Sequence, residues 1–333
     1  MVDRRTRVAG VSVVTAAAVC LVAYSYLVGL WLSRHDRSPD LLLAIRNWVN
    51  RPTGVGEDFG FLGVALLLMV AGFAVGGIAG AAGPGRLAFA SRLARRGLPP
   101  LVVAVAVGAL LLAVGAQPLV DPAITTPVAA VALFALVVLV LLPLQHRFPG
   151  LAVFVQLEVV CLLLLGSGWA ASTGAHDVPR VIGLVAALVP LATLGQVAWL
   201  QRTELLFRRH ALGLGLLCLG LLVLAERVVP GTAAFWRPLT GVYALLLFLI
   251  ALPRGASLAA TRLVRWLDSR ALPLFVSIPV VGYAVLGVQH PVVPPVVAIP
   301  VALACTCLAA ELLHLGSHRV VHRVLHRGRR RPA

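Results

Sequence analysis

Apolar runs of about twenty residues recur along the whole chain, and arginines fall mostly in the gaps between them. A run of that length is what a helix needs to cross the hydrocarbon core of a bilayer. In lipid each backbone N–H and C=O must be satisfied within the segment, which leaves helices as the spanning form for such runs. The pattern predicts an all-α fold, a polytopic membrane helix bundle. Composition agrees, since 60% of the 333 residues are hydrophobic and 12% are charged. No soluble interior is large enough to hide that much apolar surface.

The runs predict about ten transmembrane helices, at roughly 8–32, 59–82, 98–116, 124–143, 150–170, 178–200, 210–229, 235–252, 271–288 and 292–314. The opening MVDRRTR before an apolar run resembles a secretory signal peptide. Hydrophobicity continues to Trp31 and further spans follow, so this segment reads as an uncleaved first helix. The chain reads as one domain, 1–333, with a basic tail at 315–333. Pro143, Pro190, Pro279 and Pro300 fall inside spans and mark expected kinks. Between the first two spans, Ser38 stands as a helix cap before Leu41, Leu42, Ile45, Trp48 and Val49, spaced for one face. That stretch is either a short helix in the outer interface or an ordinary structured loop.

The net charge is +16, and all 28 basic residues are arginine. Their confinement to loops and ends argues against a nucleic-acid surface and for a topology signal. With the N-terminus inside, the outer segments hold only Arg34, Arg37, Arg46, Arg51, Arg180, Arg227 and Arg237, and the inner ones hold the other 21. Short cytoplasmic loops carry the basic excess, so both termini are expected in the cytoplasm. Arginine without lysine, among abundant Ala, Val, Gly and Pro, reads as the codon bias of a GC-rich bacterium. The expected location is the bacterial inner (cytoplasmic) membrane, crossed many times.

Ionisable groups at membrane depth are costly and so stand out as functional candidates. Glu158 lies near the centre of the fifth span, two residues after Gln156. It reads either as a functional carboxylate or as a structural one facing the bundle. Glu226 and Arg227 lie at the outer end of the seventh span and Glu311 near the inner end of the tenth, close enough to the interface to need no special role. His314, His318, His322 and His326 are each four apart, which stacks them along one helical stripe. No HExxH or HxxEH accompanies them, and interleaved arginines fit a basic helix on anionic headgroups better than a zinc site. No metal is expected. The five cysteines all lie in apolar runs without a CxxC pair and read as small hydrophobes. There is no GxSxG, Walker loop or nucleotide-binding glycine motif, and no nucleic-acid partner is expected.

One frame of residues resembles the integral-membrane acyltransferase 3 family. In the second span, Gly60, Leu62, Gly63, Val64, Leu66, Gly72 and Phe73 follow the family's glycine-rich helix without a gap. Phe89, Arg92, Arg95, Arg96, Leu98 and Pro99 look like its phenylalanine, arginine cluster and proline. Ala271, Leu272, Leu274, Phe275 and Val276 are similar to its C-terminal motif. The resemblance covers the chain in helix count and orientation, and its motifs are most specific over 60–100. It implies a ten-helix domain that O-acylates an extracytoplasmic glycan or glycolipid, with cytoplasmic acyl-CoA as donor. Arg92, Arg95 and Arg96 would then grip the CoA phosphates, a task that suits the guanidinium fork. The other reading is that they only enforce topology.

The departures from the family are as informative. Ser12 stands where the family has an arginine and Ala23 where it has a histidine. Alanine can neither accept nor donate a proton, so the expected general base is missing. Ala65, Ala71 and Ile278 replace three further polar positions. A shift that brought Tyr24, Ser25 or Tyr26 to the histidine position would break the matches at Gly10 and Val19. Glu158 and Tyr24 are the candidates to replace the lost base. Three functions follow: an O-acyltransferase, a catalytically inactive relative that binds or scaffolds in envelope biosynthesis, or a transporter. The expected partners are membrane lipids, acyl-CoA and an envelope sugar or glycolipid. Oligomeric state is not legible.

Overall fold

The computed structural model describes residues 4–34, 40–55, 59–113, 122–174, 177–229, 236–289 and 293–328, with side chains except at 4–8, 33–34, 40–42, 96, 112, 122–124, 236, 256 and 317–328. All regular structure among them is helical. In chain order the main helices are α1 (Arg4–Tyr24), α2 (Asp40–Ile45), α3 (Gly60–Ala82), α4 (Arg86–Ala113), α5 (Pro122–Arg147), α6 (Pro149–Ser172) and α7 (Asp177–Arg202). They continue as α8 (Arg208–Val228), α9 (Trp236–Arg254), α10 (Arg262–Ser269), α11 (Ala271–Ser277), α12 (Tyr283–Gln289) and α13 (Pro295–Gly328). Three π-helical turns interrupt the pattern, at Ser25–Leu30, Arg46–Asn50 and Ile278–Gly282.

Nine spans among the described residues are long and apolar enough to cross a bilayer, and α4 supplies a tenth if its two limbs count together. Those limbs, Arg86–Arg95 and Gly97–Leu111, are bent by 42°. Pro99 and Pro100 cause the bend, since neither offers an N–H to the carbonyl four residues earlier, at Arg95 and Arg96. The helix begins at Arg86, not near 98 as the apolar run predicts, because the arginine-rich limb is helical too. With α4 counted as a crossing both ends come to one side, and contacts agree. Ser12 near the start meets Asp268, and Glu311 near the end meets Arg270. This is the arginine-rich side.

α7 is the axis of the bundle and the most enclosed span, with α3, α5, α6, α8 and α9 packed around it. Lipid offers no hydrophobic drive between helices, so close backbone approach and shared polar groups must hold them. Both are present. A Cβ on Gly72 of α3 would strike the Ala192 carbonyl oxygen of α7, and one on Gly195 of α7 would strike that of Met69 on α3. The two helices therefore cross glycine against backbone, reciprocally. On the next face of α7, Gln156 Nε2 of α6 donates to Thr193 Oγ1 at 2.8 Å, and Thr193 donates to the Val189 carbonyl at 3.1 Å. α1 joins this cluster to the remainder, packing on α3 and α9 on one side and on α10 and α11 on the other.

The remaining group is α4, α11, α12 and α13. Pro279 lies inside the turn Ile278–Gly282, so the kink expected there takes the form of a π-turn. That turn packs on the one at Ser25–Leu30 and on α13. The outer segment is helical, as one of its two readings has it, though Ser38 lies outside the described residues. Its seated side differs from the expected apolar face. Asn50 and Val55 are buried, Thr240 Oγ1 of α9 donates to the Val55 carbonyl at 3.3 Å, and Trp48 is 82% exposed.

Candidate functional site

Phe89 is fully buried in the core and anchors the first limb of α4, which turns Arg92 and Arg95 outward. Both are exposed, and neither has a hydrogen-bond or ion-pair partner among the described residues. The Arg96 side chain lies outside the described ones, although its backbone continues the helix. Arg86, by contrast, is spent on structure, with Nη2 donating to the Val140 carbonyl of α5 at 2.9 Å.

Beyond the bend, α4 forms one wall of a cavity of about 300 Å³. Val103, Ala104 and Val107 line it from α4, Val276 and Ser277 from α11, Val280 and Val281 from the π-turn, and Ala309, Leu312, Leu313 and Gly316 from α13. The lining is apolar except for one group. Ser277 is 1% exposed and its hydroxyl has no hydrogen-bond partner among the described residues. A buried hydroxyl left unpaired costs free energy that a ligand acceptor or donor would recover. Arg92 precedes Val103 on the same helix, at most roughly 16 Å away along the axis and less across the 42° bend between them. The cavity thus lies in the arginine-rich half, below a limb that presents unpaired guanidinium groups.

A polar clasp closes the adjoining corner. Arg270 grips Glu311 of α13 with both arms of its fork, Nε to Oε2 at 2.6 Å and Nη2 to Oε1 at 2.8 Å. Trp266 Nε1 donates to the same Oε2 at 3.1 Å, and the Arg270 guanidinium lies 5.5 Å over the Trp266 ring. The hydrogen bonds to Glu311 push the Arg270 guanidinium above its ordinary range, so it stays charged at any pH the protein meets. Ser12 Oγ of α1 donates to Asp268 Oδ2 at 2.8 Å, which ties α10 to the first helix as well. Arg270→Ala is therefore expected to loosen α10 from α13. Maleimide labelling of a cysteine placed at Leu267, which packs toward Val19, Leu274 and Ala310, should rise in that variant, and unchanged labelling would count against the clasp.

The two candidate bases are not brought together. Glu158 sits on the exposed face of α6, in line with Phe154, Leu162 and Leu165, and faces away from the bundle. Tyr24 closes α1, its ring 6.3 Å from that of Phe59. α6 packs chiefly on α5, α7 and α8, and α1 chiefly on α3, α9 and α10. Of the other ionisable groups at span ends, Glu226 is the electrostatic partner of Arg237, whose guanidinium lies 5.8 Å over Phe61. Among the described residues no three metal-ligating side chains come together, and the side chains of His318, His322 and His326 lie outside that set.

Sequence reasoning missed Ser277, Arg270, Trp266 and Asp268. Ser277 carried one signal, a lone hydroxyl in an apolar run two residues before an in-span proline. The clasp carried none, because Arg270 and Glu311 are 41 positions apart in sequence and meet only in three dimensions.

These features define a multi-pass helical membrane protein with an apolar cavity in its arginine-rich half. No family model, no curated protein and no solved structure matches the chain.

Proposed function

We propose that the chain is an acyltransferase-3-like protein of the bacterial inner membrane that binds acyl-CoA from the cytoplasm. The acyl chain occupies the cavity between α4, α11 and α13, and Arg92, Arg95 and Arg96 hold the CoA phosphates. The observation that carries this reading is the placement of unpaired Arg92 and Arg95 on the same helix that walls an apolar cavity of about 300 Å³. That volume is at the small end of ligand sites, which are mostly apolar with a few placed polar groups. Charge-assisted bonds from a guanidinium fork suit a phosphate.

The protein acts as a binding or scaffold member of envelope glycan or glycolipid biosynthesis rather than as the transferase. Support comes from the site itself, since Ala23 offers no proton chemistry and Glu158 and Tyr24 lie on helices that pack on different neighbours. A general base must come within hydrogen-bond reach of the proton it takes, directly or through one water.

The test uses the full chain in lipid nanodiscs. Palmitoyl-CoA is expected to bind saturably and more tightly than CoA or palmitate alone. Absence of saturable binding would overturn the proposal. Acyl transfer to a glycan or glycolipid acceptor that is lost in Glu158→Ala or Tyr24→Phe would restore the enzymatic reading in its place.

A further inference from the structure

Glu158 is the tenth residue of the 24 in α6, close to mid-membrane, and it is exposed. Its neighbours along the same face are Leu151, Phe154, Leu162, Leu165 and Trp169, each between 42% and 72% exposed. Gln156, two positions away and so nearly opposite on the helix, is the residue that points into the bundle and bonds Thr193. Glu158 has no hydrogen-bond or ion-pair partner among the described residues. A carboxyl standing in a lipid-facing stripe is expensive, and such groups normally face a bundle interior or a partner.

We infer that the α6 face carrying Glu158 is the contact surface for a second copy of this chain. Two copies inserted with the same topology around a two-fold axis along the membrane normal run their α6 helices side by side in the same direction. Each Glu158 then meets its mate at the same depth. A residue near such an axis contacts itself, so the surface must be self-complementary. Two carboxyls meet that requirement by sharing a proton, one donating to the other. An ion pair does not, because the arginines of the described spans lie toward helix ends and the chain has no lysine. Gly166 lies on the same exposed face, two turns along, with nothing within 4 Å of an added Cβ. It leaves room for a second backbone to approach, as paired membrane helices require. This inference does not depend on acyl-CoA binding.

The test counts subunits of the full-length labelled chain by single-molecule photobleaching in liposomes at high lipid dilution. Wild type is expected to bleach in two steps. Glu158→Gln should keep the dimer, because an amide can also donate and accept across the axis. Glu158→Leu should lower the association constant about tenfold, the scale of an interhelical hydrogen bond in a membrane. Leucine on a lipid face should leave the thermal unfolding midpoint of the monomer unchanged or higher, which separates dissociation from misfolding. In parallel, Leu165→Cys should give disulfide-linked dimer above the background of the native cysteines. Leu308→Cys, equally apolar and 62% exposed on α13, should not. A monomeric wild type, a dimer indifferent to Glu158→Leu, or trapping at Leu308→Cys in place of Leu165→Cys would each overturn the inference. Dimerisation without acyl-CoA binding would leave it standing and remove only the proposed function.

Discussion

Gly195→Val and Gly72→Val are each expected to abolish most of the folded yield. The α3–α7 crossing leaves no space between backbones at these positions. An added Cβ falls on the Met69 carbonyl in the first case and on the Ala192 carbonyl in the second. A flexible side chain could move aside, but main chain in the middle of a span cannot move without carrying its helix. Overpacking costs about 1–3 kcal/mol where side chains can adjust and more where they cannot, a large share of the margin of an ordinary domain. The expectation is sharpened by position, since α7 is the helix on which five others rest. Gly220→Val on α8 is the control, because nothing lies within 4 Å of its added Cβ. Size-exclusion profiles in detergent should show aggregate for the two crossing variants and a single peak for the control. A normal peak with an unchanged unfolding midpoint for Gly195→Val would mean that α3 and α7 do not cross there.

Replacing Arg92 and Arg95 together by alanine is expected to weaken palmitoyl-CoA binding roughly hundredfold. Hydrogen bonds to charged groups contribute about 1.5–3 kcal/mol each, and two of them correspond to a factor of that order. Arg→Lys at both positions should fall between, because an ammonium offers a point charge without the fork. The topology signal survives the change, since Arg86 and Arg96 remain in the same segment and the other inner loops are untouched. A misinserted protein is therefore not the expected cause of lost binding. Ala104→Phe tests the other half of the site. Ala104 is 4% exposed and lines the cavity, and a phenyl group there would occupy the space assigned to the acyl chain. The variant should lose the preference for palmitoyl-CoA over CoA while keeping whatever affinity CoA has by itself. Isothermal titration in nanodiscs measures both.

Helix number and order were largely legible in the sequence, because bilayer thickness sets a length that apolar runs reveal directly. The arginine distribution predicted both ends on one side, and the Ser12–Asp268 and Arg270–Glu311 contacts agree with that. The first limb of α4 was not visible, because Arg86 to Arg96 is too polar to read as part of a span. The direction a residue faces was equally hidden. Gln156 and Glu158 are two apart in a helix that is apolar all round, and periodicity there does not say which of them looks inward. Thr193 on a distant helix decides it by taking the hydrogen bond from Gln156. The cavity was not legible either, because its walls come from three segments and its one polar group is a serine. Composition does reveal the arginines above it, but only the structure shows that Arg92 and Arg95 are unpaired where Arg86 is bound.

The most direct test of the acyl-binding site is photo-crosslinking with a palmitoyl-CoA analogue that carries a diazirine near the end of its acyl chain. Peptides mapped by mass spectrometry are expected to carry the label on Ser277, Val280, Ala309 or Leu313, with the signal suppressed by excess palmitoyl-CoA and by Ala104→Phe. Label spread over the lipid-facing residues of α5, α6 and α8, and indifferent to competitor, would contradict the account.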